Sequence, residues 1–197
     1  MVYLYVTNVS TLQDPLENPN IMGGLSADRK NKILNCKQRK KRLQSFGAGL
    51  LLKRVLEKYD ISIDALRRDS NGKPIIEGIC FNLSHSGNLV ICAVSDQMVG
   101  CDIEQVKVVS KRVAERMFSK EENEYLLQFS NEQYNREFIR IWTKKESYLK
   151  MLGVGIRGAI DKLDFKDCYI QEYELPEYHI TVCAKEEAFS ELLWEKI

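Results

Sequence analysis

The chain contains 197 residues, of which 44% are hydrophobic and 29% are charged, and its formal net charge is +1 at pH 7. These values are typical of a globular protein and exclude disordered and fibrous chains. No apolar run in the sequence approaches the roughly 18 residues that span a bilayer. The balanced charge also gives no indication of a nucleic-acid partner.

The N-terminal segment MVYLYVTNVS has neither the basic start nor the small-residue cleavage site of a signal peptide. The cysteines include no C-x-x-C pair, and most of them lie in apolar, strand-like runs. A cysteine in such a run usually packs as a small hydrophobic residue. We therefore expect a cytoplasmic protein with reduced cysteines and no membrane association.

Periodicity predicts five elements before residue 98. They are a strand at residues 2–9, helices at 29–42 and 45–59, and strands at 81–87 and 89–94. Ser26 is a typical N-cap for the first helix, which is strongly basic. The turn DSNGKPI separates the helices from the later strands. Because the short segment SDQM leads directly into VGCDIEQ, we predict a β-hairpin here, which brings His85 close to Asp102.

The second half of the chain begins with the strand Val99–Gln105. Ser119 starts a capping-box pattern, SKEE, and the longest helical pattern covers Asn131–Leu152, ended by Gly153 and Gly155. The remaining predicted elements are strands at 168–175 and Tyr178–Ala184, a short helix and the closing segment WEKI. Since the two halves have a similar order of elements, we predict two related subdomains, residues 1–98 and 99–197.

The strand VGCDIEQ carries two acids within an apolar run. Side chains alternate between the faces of a strand, so Asp102 and Glu104 share one face while Cys101 and Ile103 share the other. Two carboxylates this close destabilise a fold unless a cation, a hydrogen-bond donor or open water compensates them. The pattern therefore predicts a positively charged partner.

The long helix carries charges at the edge of its apolar face. At about 100° per residue, Lys145 falls within the apolar arc, and Glu146 and Lys150 lie together at its border. One interpretation is structural: Lys145 extends outward to solvent, and the other two form a surface pair worth about 0.3–0.5 kcal/mol. The alternative joins Glu146 to the two acids of the strand as a third oxygen ligand.

Carboxylate oxygens are the ligands that Mg²⁺ prefers, and Mg²⁺ commonly bridges protein carboxylates to phosphates. Lysines beside such a site, Lys73 and the basic helix then offer partners for phosphate oxygens. Ser84 and His85 are neighbours on a strand and face opposite ways, so we favour anion binding over a nucleophile and base. His85 bonded within its own turn and a structural His179 are the simpler alternatives.

Three segments together resemble one protein family: FNLSHSGNLVICAV, VGCDIE and FIRIWTKKESYLKMLGVGI. They are similar to the signature blocks of the 4′-phosphopantetheinyl transferases, specifically the larger, surfactin-synthetase-activating type. D-x-E alone is a weak signal, but D-x-E followed by W-x-x-K-E-S-x-x-K is a strong one. The similarity extends from about residue 25 to about residue 160.

The resemblance implies an α+β fold of two similar subdomains, each a small sheet packed with helices, with the active site in the cleft between them. It also implies a monomer, because one chain supplies both halves. The implied reaction transfers the phosphopantetheine arm of coenzyme A to a serine of an apo acyl, peptidyl or polyketide carrier protein. It depends on Mg²⁺, or on Mn²⁺ in its place, and releases adenosine 3′,5′-bisphosphate.

The family motifs assign roles to particular residues. The implied metal ligands are Asp102, Glu104 and Glu146. Glu146, directly or through a water, is the implied general base, and Lys150 stabilises or protonates the departing phosphate, so that Asp102, Glu146 and Lys150 form the catalytic set. The implied coenzyme A contacts are Arg29, Lys32, Lys73, Ser84, His85, Lys145 and Lys150.

Two positions depart from the family pattern. Gln44 stands where the family usually has an arginine, so we expect that phosphate contact to be lost or moved to Arg42. Cys101 replaces the usual Ile or Val, and we expect it to pack on the face away from the acids. Two other functions stay open: a catalytically impaired module that binds coenzyme A and carrier proteins, and an unrelated Mg²⁺-dependent hydrolase of phosphoanhydrides.

Overall fold

The structure, a computed structural model, describes residues 1–70, 72–154, 160–185 and 187–197. Within these ranges the helices are α1 (Ala27–Leu34), α2 (Arg39–Glu57), α3 (Lys111–Met117), α4 (Lys120–Leu126) and α5 (Asn131–Leu152). The strands are β1 (Val2–Asn8), β2 (Arg67–Arg68), β3 (Pro74–Ile75), β4 (Cys80–Ser86), β5 (Leu89–Ser95), β6 (Val99–Gln105), β7 (Tyr169–Leu175), β8 (Tyr178–Ala184) and β9 (Phe189–Trp194).

The strands form two main sheets that pack face to face. The first sheet has the order β4-β5-β1-β9, in which only the β1–β9 pair is parallel, and the second has the antiparallel order β6-β8-β7. Alternating apolar side chains of β1, β5, β6 and β8 meet between the sheets as a buried core. Cys101 and Ile103 lie in this core, so the expected packing of Cys101 away from the acids is confirmed.

Helices cover the outer faces of both sheets. The leucine face of α2 packs on β1, β4 and β5, and α5 lies against β6 and β8. Helices α3 and α4 pack on the other side of α5 through a cluster that contains Phe118, Leu126 and Phe138. The resulting order of layers is helix, sheet, sheet, helix, which confirms the predicted α+β class. Among the described residues, no helix is both long and apolar enough to cross a membrane.

Local signals at the helix ends are confirmed. Ser26 caps α1 by accepting a hydrogen bond from the Arg29 amide, and Ser119 and Glu122 form a reciprocal capping box at α4. Helix α5 spans the predicted range and ends at Gly153, whose φ of 72° is left-handed. This conformation costs glycine no Cβ clash. The predicted role of Gly155 lies outside the described residues.

One predicted strand pairing and two predicted elements are wrong. Strand β6 pairs with β8 and not with β5, because β5 already has β1 and β4 on its two edges. The predicted short helix after β8 is instead β9, which pairs in parallel with β1. The basic run 29–42 is not one helix: it breaks after Leu34, and α2 begins at Arg39. Strand β9 belongs to the second half of the chain but joins the sheet of the first half. The subdomain division at residue 98 stays a prediction.

Candidate active site

Asp102 lies where the edge strand β4, the edge strand β6 and helix α5 meet. Its Oδ1 accepts hydrogen bonds from the Ser84 hydroxyl at 2.7 Å and from Lys150 Nζ at 2.6 Å. The residue is only 4% exposed. Its Oδ2 is buried and has no hydrogen-bond partner in the described part of the chain. One oxygen is therefore held by the fold, and the other is available to a ligand.

Gly100 explains how the helix reaches the acids. A Cβ atom at this position would lie 2.1 Å from the Ser147 carbonyl oxygen and 2.3 Å from the Met151 amide nitrogen. The backbone of α5 thus rests directly on β6, at a distance that only glycine allows. This contact places Glu146 and Lys150 against the carboxylates of the strand.

Glu104 and Glu146 add two further carboxylates to the site. Glu104 Oε2 accepts a hydrogen bond from the Ser86 hydroxyl at 2.7 Å. Burial, and then the charge of Asp102, raise the pKa of Glu146 to about 7. Burial also raises the pKa of Glu104. Burial, reinforced by the Asp102 charge, therefore disfavours the ionised form of both glutamates.

Lys150 is the cation nearest to these acids. Burial disfavours its charged form, but Asp102, Cys101 and Glu146 together outweigh burial and raise the pKa of Lys150 above its usual value. Lys150 Nζ also donates to Ser84 Oγ at 2.9 Å. The serine hydroxyl, the ammonium and the carboxylate therefore form one connected group.

The donor set suits a hard divalent cation that is only partly enclosed by protein. Within the described residues, no three His, Cys, Asp or Glu side chains lie together in a group that could hold a metal ion without further ligands. Mg²⁺, however, is usually held by one or two carboxylates together with substrate phosphates and water. The buried oxygens Asp102 Oδ2 and Glu146 Oε1 have no hydrogen-bond partner among residues 1–70, 72–154, 160–185 and 187–197, and they fit such an ion. Carboxylates buried without a donor are otherwise costly.

A cavity of about 190 Å³ is lined by residues of α1, α2, β4 and the turn before β3. Four of the residues predicted to contact coenzyme A line it: Arg29, Lys32, Lys73 and His85. Burial, and then neighbouring cations, lower the pKa of Lys32 and that of His85. Lys73 Nζ donates to the Lys150 carbonyl oxygen at 3.0 Å, which ties the cavity to α5. Positively charged side chains that repel one another within one cavity are typical of a binding site for a polyanion.

The site predicted from sequence is thus largely brought together. Ser84 bonds Asp102 and Lys150, whereas His85, the next residue on β4, lines the cationic cavity. A larger, open depression of about 840 Å³ lies beyond the end of β6 and has none of the predicted site residues in its lining. The predicted site residues therefore lie outside this depression.

Lys145 is placed differently from the expectation. It is 1% exposed, donates to the Ile160 carbonyl oxygen at 2.7 Å and pairs with Glu122 at 2.8 Å. Its ammonium is therefore bound inside the fold between α4 and α5 and does not line the cationic cavity. The other histidine, His179, is buried against the Thr143 hydroxyl, in keeping with the structural alternative.

Two residues of the site have no role in the sequence-based prediction. The Asn82 side-chain oxygen accepts a hydrogen bond from the Cys101 amide, and the Ser86 hydroxyl bonds both the Gln105 amide and Glu104. The signal that points to them is the spacing N-x-S-x-S in FNLSHSG, which puts three polar side chains on one face of a strand.

Residues 98–196 match the family model described as the 4′-phosphopantetheinyl transferase superfamily. The chain is 30% identical to 4′-phosphopantetheinyl transferase Sfp of Bacillus subtilis, over 89% of this chain and 88% of that protein. This chain belongs to the 4′-phosphopantetheinyl transferase superfamily. It is also 32% identical to 4′-phosphopantetheinyl transferase psf-1 of Bacillus pumilus, over 72% of this chain and 71% of that protein. A more distant relative is the L-aminoadipate-semialdehyde dehydrogenase-phosphopantetheinyl transferase of Mus musculus, 30% identical over 60% of this chain and 45% of that protein.

Membership makes the protein an enzyme of the phosphopantetheinyl transferase type. The structure also shows the surroundings of Arg42 and Gln44, which concern the departure from the family pattern at residue 44. Arg42 does not take over the lost phosphate contact, because it is buried and its guanidinium donates to both carboxylate oxygens of Asp14. That pairing lowers the pKa of Asp14 to about 2. Gln44 is buried as well, and its amide donates to the Gly87 carbonyl oxygen at 2.9 Å. Gln44 therefore has a structural role in the turn between β4 and β5.

Proposed function

We propose that this protein transfers the 4′-phosphopantetheine group of coenzyme A to a serine of an apo carrier protein of the acyl, peptidyl or polyketide class. The observation that carries the proposal is the link between the cationic cavity and the acids: Lys73 in the cavity lining donates to the Lys150 carbonyl oxygen, and Lys150 binds Asp102. A substrate with a diphosphate and a separate phosphate matches this arrangement, because its phosphates need both cations and a metal-binding edge. The names of the relatives support the same reaction.

Binding of coenzyme A is proposed to use the cations of the cavity. Arg29 and Lys32 project from α1, Lys73 from the turn before β3 and His85 from β4, so three separate elements converge on one anion. Arg29, Lys32 and Lys73 repel one another in the free protein, and this repulsion is relieved when phosphate oxygens neutralise them. His85, whose pKa is lowered, serves as a hydrogen-bonding partner. This part of the site therefore contributes affinity and orients the diphosphate toward Asp102.

Mg²⁺, or Mn²⁺ in its place, is the proposed cofactor, with Asp102, Glu104 and Glu146 as its ligands. When bound, it holds the diphosphate and offsets charge that develops during transfer. Two buried carboxylate oxygens of the site, Asp102 Oδ2 and Glu146 Oε1, accept no hydrogen bond from any described residue, which supports this assignment. The remaining ligands would be phosphate oxygens and water, as is usual for this ion.

In the proposed reaction, the carrier serine oxygen attacks the phosphorus that bears the pantetheine arm. A new P–O bond forms to the serine, and the bond to the bridging oxygen of the diphosphate breaks, which releases adenosine 3′,5′-bisphosphate. Glu146 accepts the hydroxyl proton, and Lys150 stabilises or protonates the departing phosphate. A monomeric state, a cytoplasmic location and a cleft between two subdomains remain predictions from the sequence.

The test incubates the purified protein with coenzyme A, Mg²⁺ and a panel of apo carrier proteins, and follows the carriers by intact-protein mass spectrometry. We expect the addition of one phosphopantetheine group to at least one carrier and none to a carrier whose serine is replaced by alanine. Absence of transfer to every carrier contradicts the proposal. Consumption of coenzyme A without a carrier would instead favour the hydrolase, and binding without turnover would favour the binding module.

Variants of the acids test the assignment of the site. Asp102→Asn and Glu146→Ala are expected to abolish transfer while the circular dichroism spectrum stays native, because asparagine keeps the oxygen that accepts hydrogen bonds from Ser84 and Lys150, and removal of Glu146 relieves repulsion. Ser190→Ala, far from the acids on β9, is a control that keeps activity. Near-native rates of either acid variant at saturating Mg²⁺ would exclude the proposed metal ligands.

A further inference from the structure

Three polar side chains of β4 reach across to β6, although the two strands belong to different sheets. Asn82 Oδ1 accepts a hydrogen bond from the Cys101 amide at 3.1 Å, and Ser86 Oγ accepts one from the Gln105 amide at 3.1 Å. Ser84 lies between them and contacts Asp102. These side chains take the place of the backbone ladder that paired strands would form. We call Asn82, Ser84 and Ser86 the polar seam.

The serines of the polar seam each bind one oxygen of an acid. Ser84 donates to Asp102 Oδ1 and Ser86 donates to Glu104 Oε2, both at 2.7 Å. In each case the second carboxylate oxygen forms no hydrogen bond with any described residue. Each acid is thus turned so that one oxygen faces β4 while the other remains available.

The two acids differ in how many partners hold them. Asp102 is also bound by Lys150, and it is almost fully buried. Glu104 is half-buried, and among the described residues Ser86 provides its only hydrogen bond. A glutamate has more rotatable bonds than an aspartate, so without a partner it loses more conformational entropy when it binds a ligand. Ser86 is therefore the residue on which the orientation of Glu104 depends.

We propose that Ser86 is a positioning residue for the metal site: its hydroxyl, anchored by the Gln105 amide, holds the Glu104 carboxylate in the orientation that binds the cation. The inference rests on the proposed function, because Glu104 is a ligand only if the acids bind a metal. Partners that orient metal ligands typically change metal affinity about 10–100-fold when they are removed. Ser86 acts through Glu104 and does not itself contact substrate.

The test compares four full-length proteins: the wild type, Ser86→Ala, Ser86→Thr and Ser190→Ala. Ser86→Thr retains the hydroxyl. Ser190→Ala removes a matched bond, since Ser190 Oγ accepts a hydrogen bond from the Leu4 amide at 3.1 Å, away from the acids. Binding of Mn²⁺ is titrated by electron paramagnetic resonance at saturating coenzyme A, and coenzyme A binding is measured separately by calorimetry.

We expect the Kd for Mn²⁺ to rise about 10-fold in Ser86→Ala and to stay near the wild-type value in the other two variants. In transfer assays the KM for Mg²⁺ should rise with it, whereas the affinity for coenzyme A, measured without divalent metal, stays unchanged. An unchanged Mn²⁺ affinity in Ser86→Ala, or equal losses in Ser86→Ala and Ser86→Thr, would overturn the inference. So would absence of Mn²⁺ binding by the wild type. Transfer by the wild type is read independently, so failure of the proposed function is distinguished from failure of this inference.

Discussion

Replacement of Gly100 by alanine tests whether the contact between β6 and α5 builds the active site. The new Cβ would lie 2.1 Å from Ser147 O and 2.3 Å from Met151 N, while ordinary contact begins near 3.4 Å. Both atoms belong to the backbone of α5, four residues apart, and together form one turn of the helix. No side chain can rotate away, so the strand and the helix must separate by about 1 Å.

The expected cost follows from the packing on both sides of this contact. Overpacking in a rigid interior typically costs about 1–3 kcal/mol, and a backbone clash lies at the upper end of that range. For a chain of this size, about 3 kcal/mol corresponds to a fall in Tm of roughly 6–12 °C. The separation also moves Glu146 and Lys150 away from Asp102, so transfer should fall at least about 10-fold at temperatures where the variant is fully folded.

The assay combines thermal unfolding by circular dichroism with the transfer reaction well below the Tm. Gly23→Ala is the matched control, because its Cβ would lie 3.4 Å from Asn20 O and its φ of −51° suits alanine. The control should change the Tm by less than about 2 °C. A Gly100→Ala protein with wild-type Tm and wild-type transfer would refute the reasoning that this close contact places the catalytic groups.

Three further predictions concern single charges. In the absence of divalent metal, Glu146→Gln should stabilise the protein by about 1–2 kcal/mol above pH 7 and not below pH 4.5. The pKa of Glu146 is about 7 in the folded protein against 4.5 in the unfolded chain, so the wild-type protein loses stability as the pH rises through this interval. Equal effects of the substitution at pH 4 and at pH 8 would contradict this prediction. Lys145→Met should lower the free energy of unfolding in urea by about 2–4 kcal/mol, and Lys120→Met by less than about 0.5, because Lys145 is itself buried whereas Lys120 and its partner Glu124 are exposed. Lys150→Ala should lower kcat more than Lys73→Ala, which should mainly raise the KM for coenzyme A; similar effects of the two would remove the proposed division of roles.

Short-range patterns in the sequence determined much of the site. The alternation in VGCDIEQ places Asp102 and Glu104 on one face of a strand in any fold that pairs it. The helical period likewise keeps Glu146 next to Lys150 on α5. Capping residues such as Ser119 predicted helix ends correctly, because a cap depends on only a few neighbouring residues.

Contacts between distant segments were decided only by the tertiary structure. Whether β6 pairs with β5 or β8 depends on which strand edges are already occupied, and no local pattern contains that information. The same holds for Lys145, whose place in the helical period suits either a substrate contact or its actual bond to Glu122. Ser86 also becomes part of the site only because two sheets bring β4 beside β6. A sequence determines which face a side chain takes, but the packing of remote elements determines what that face meets.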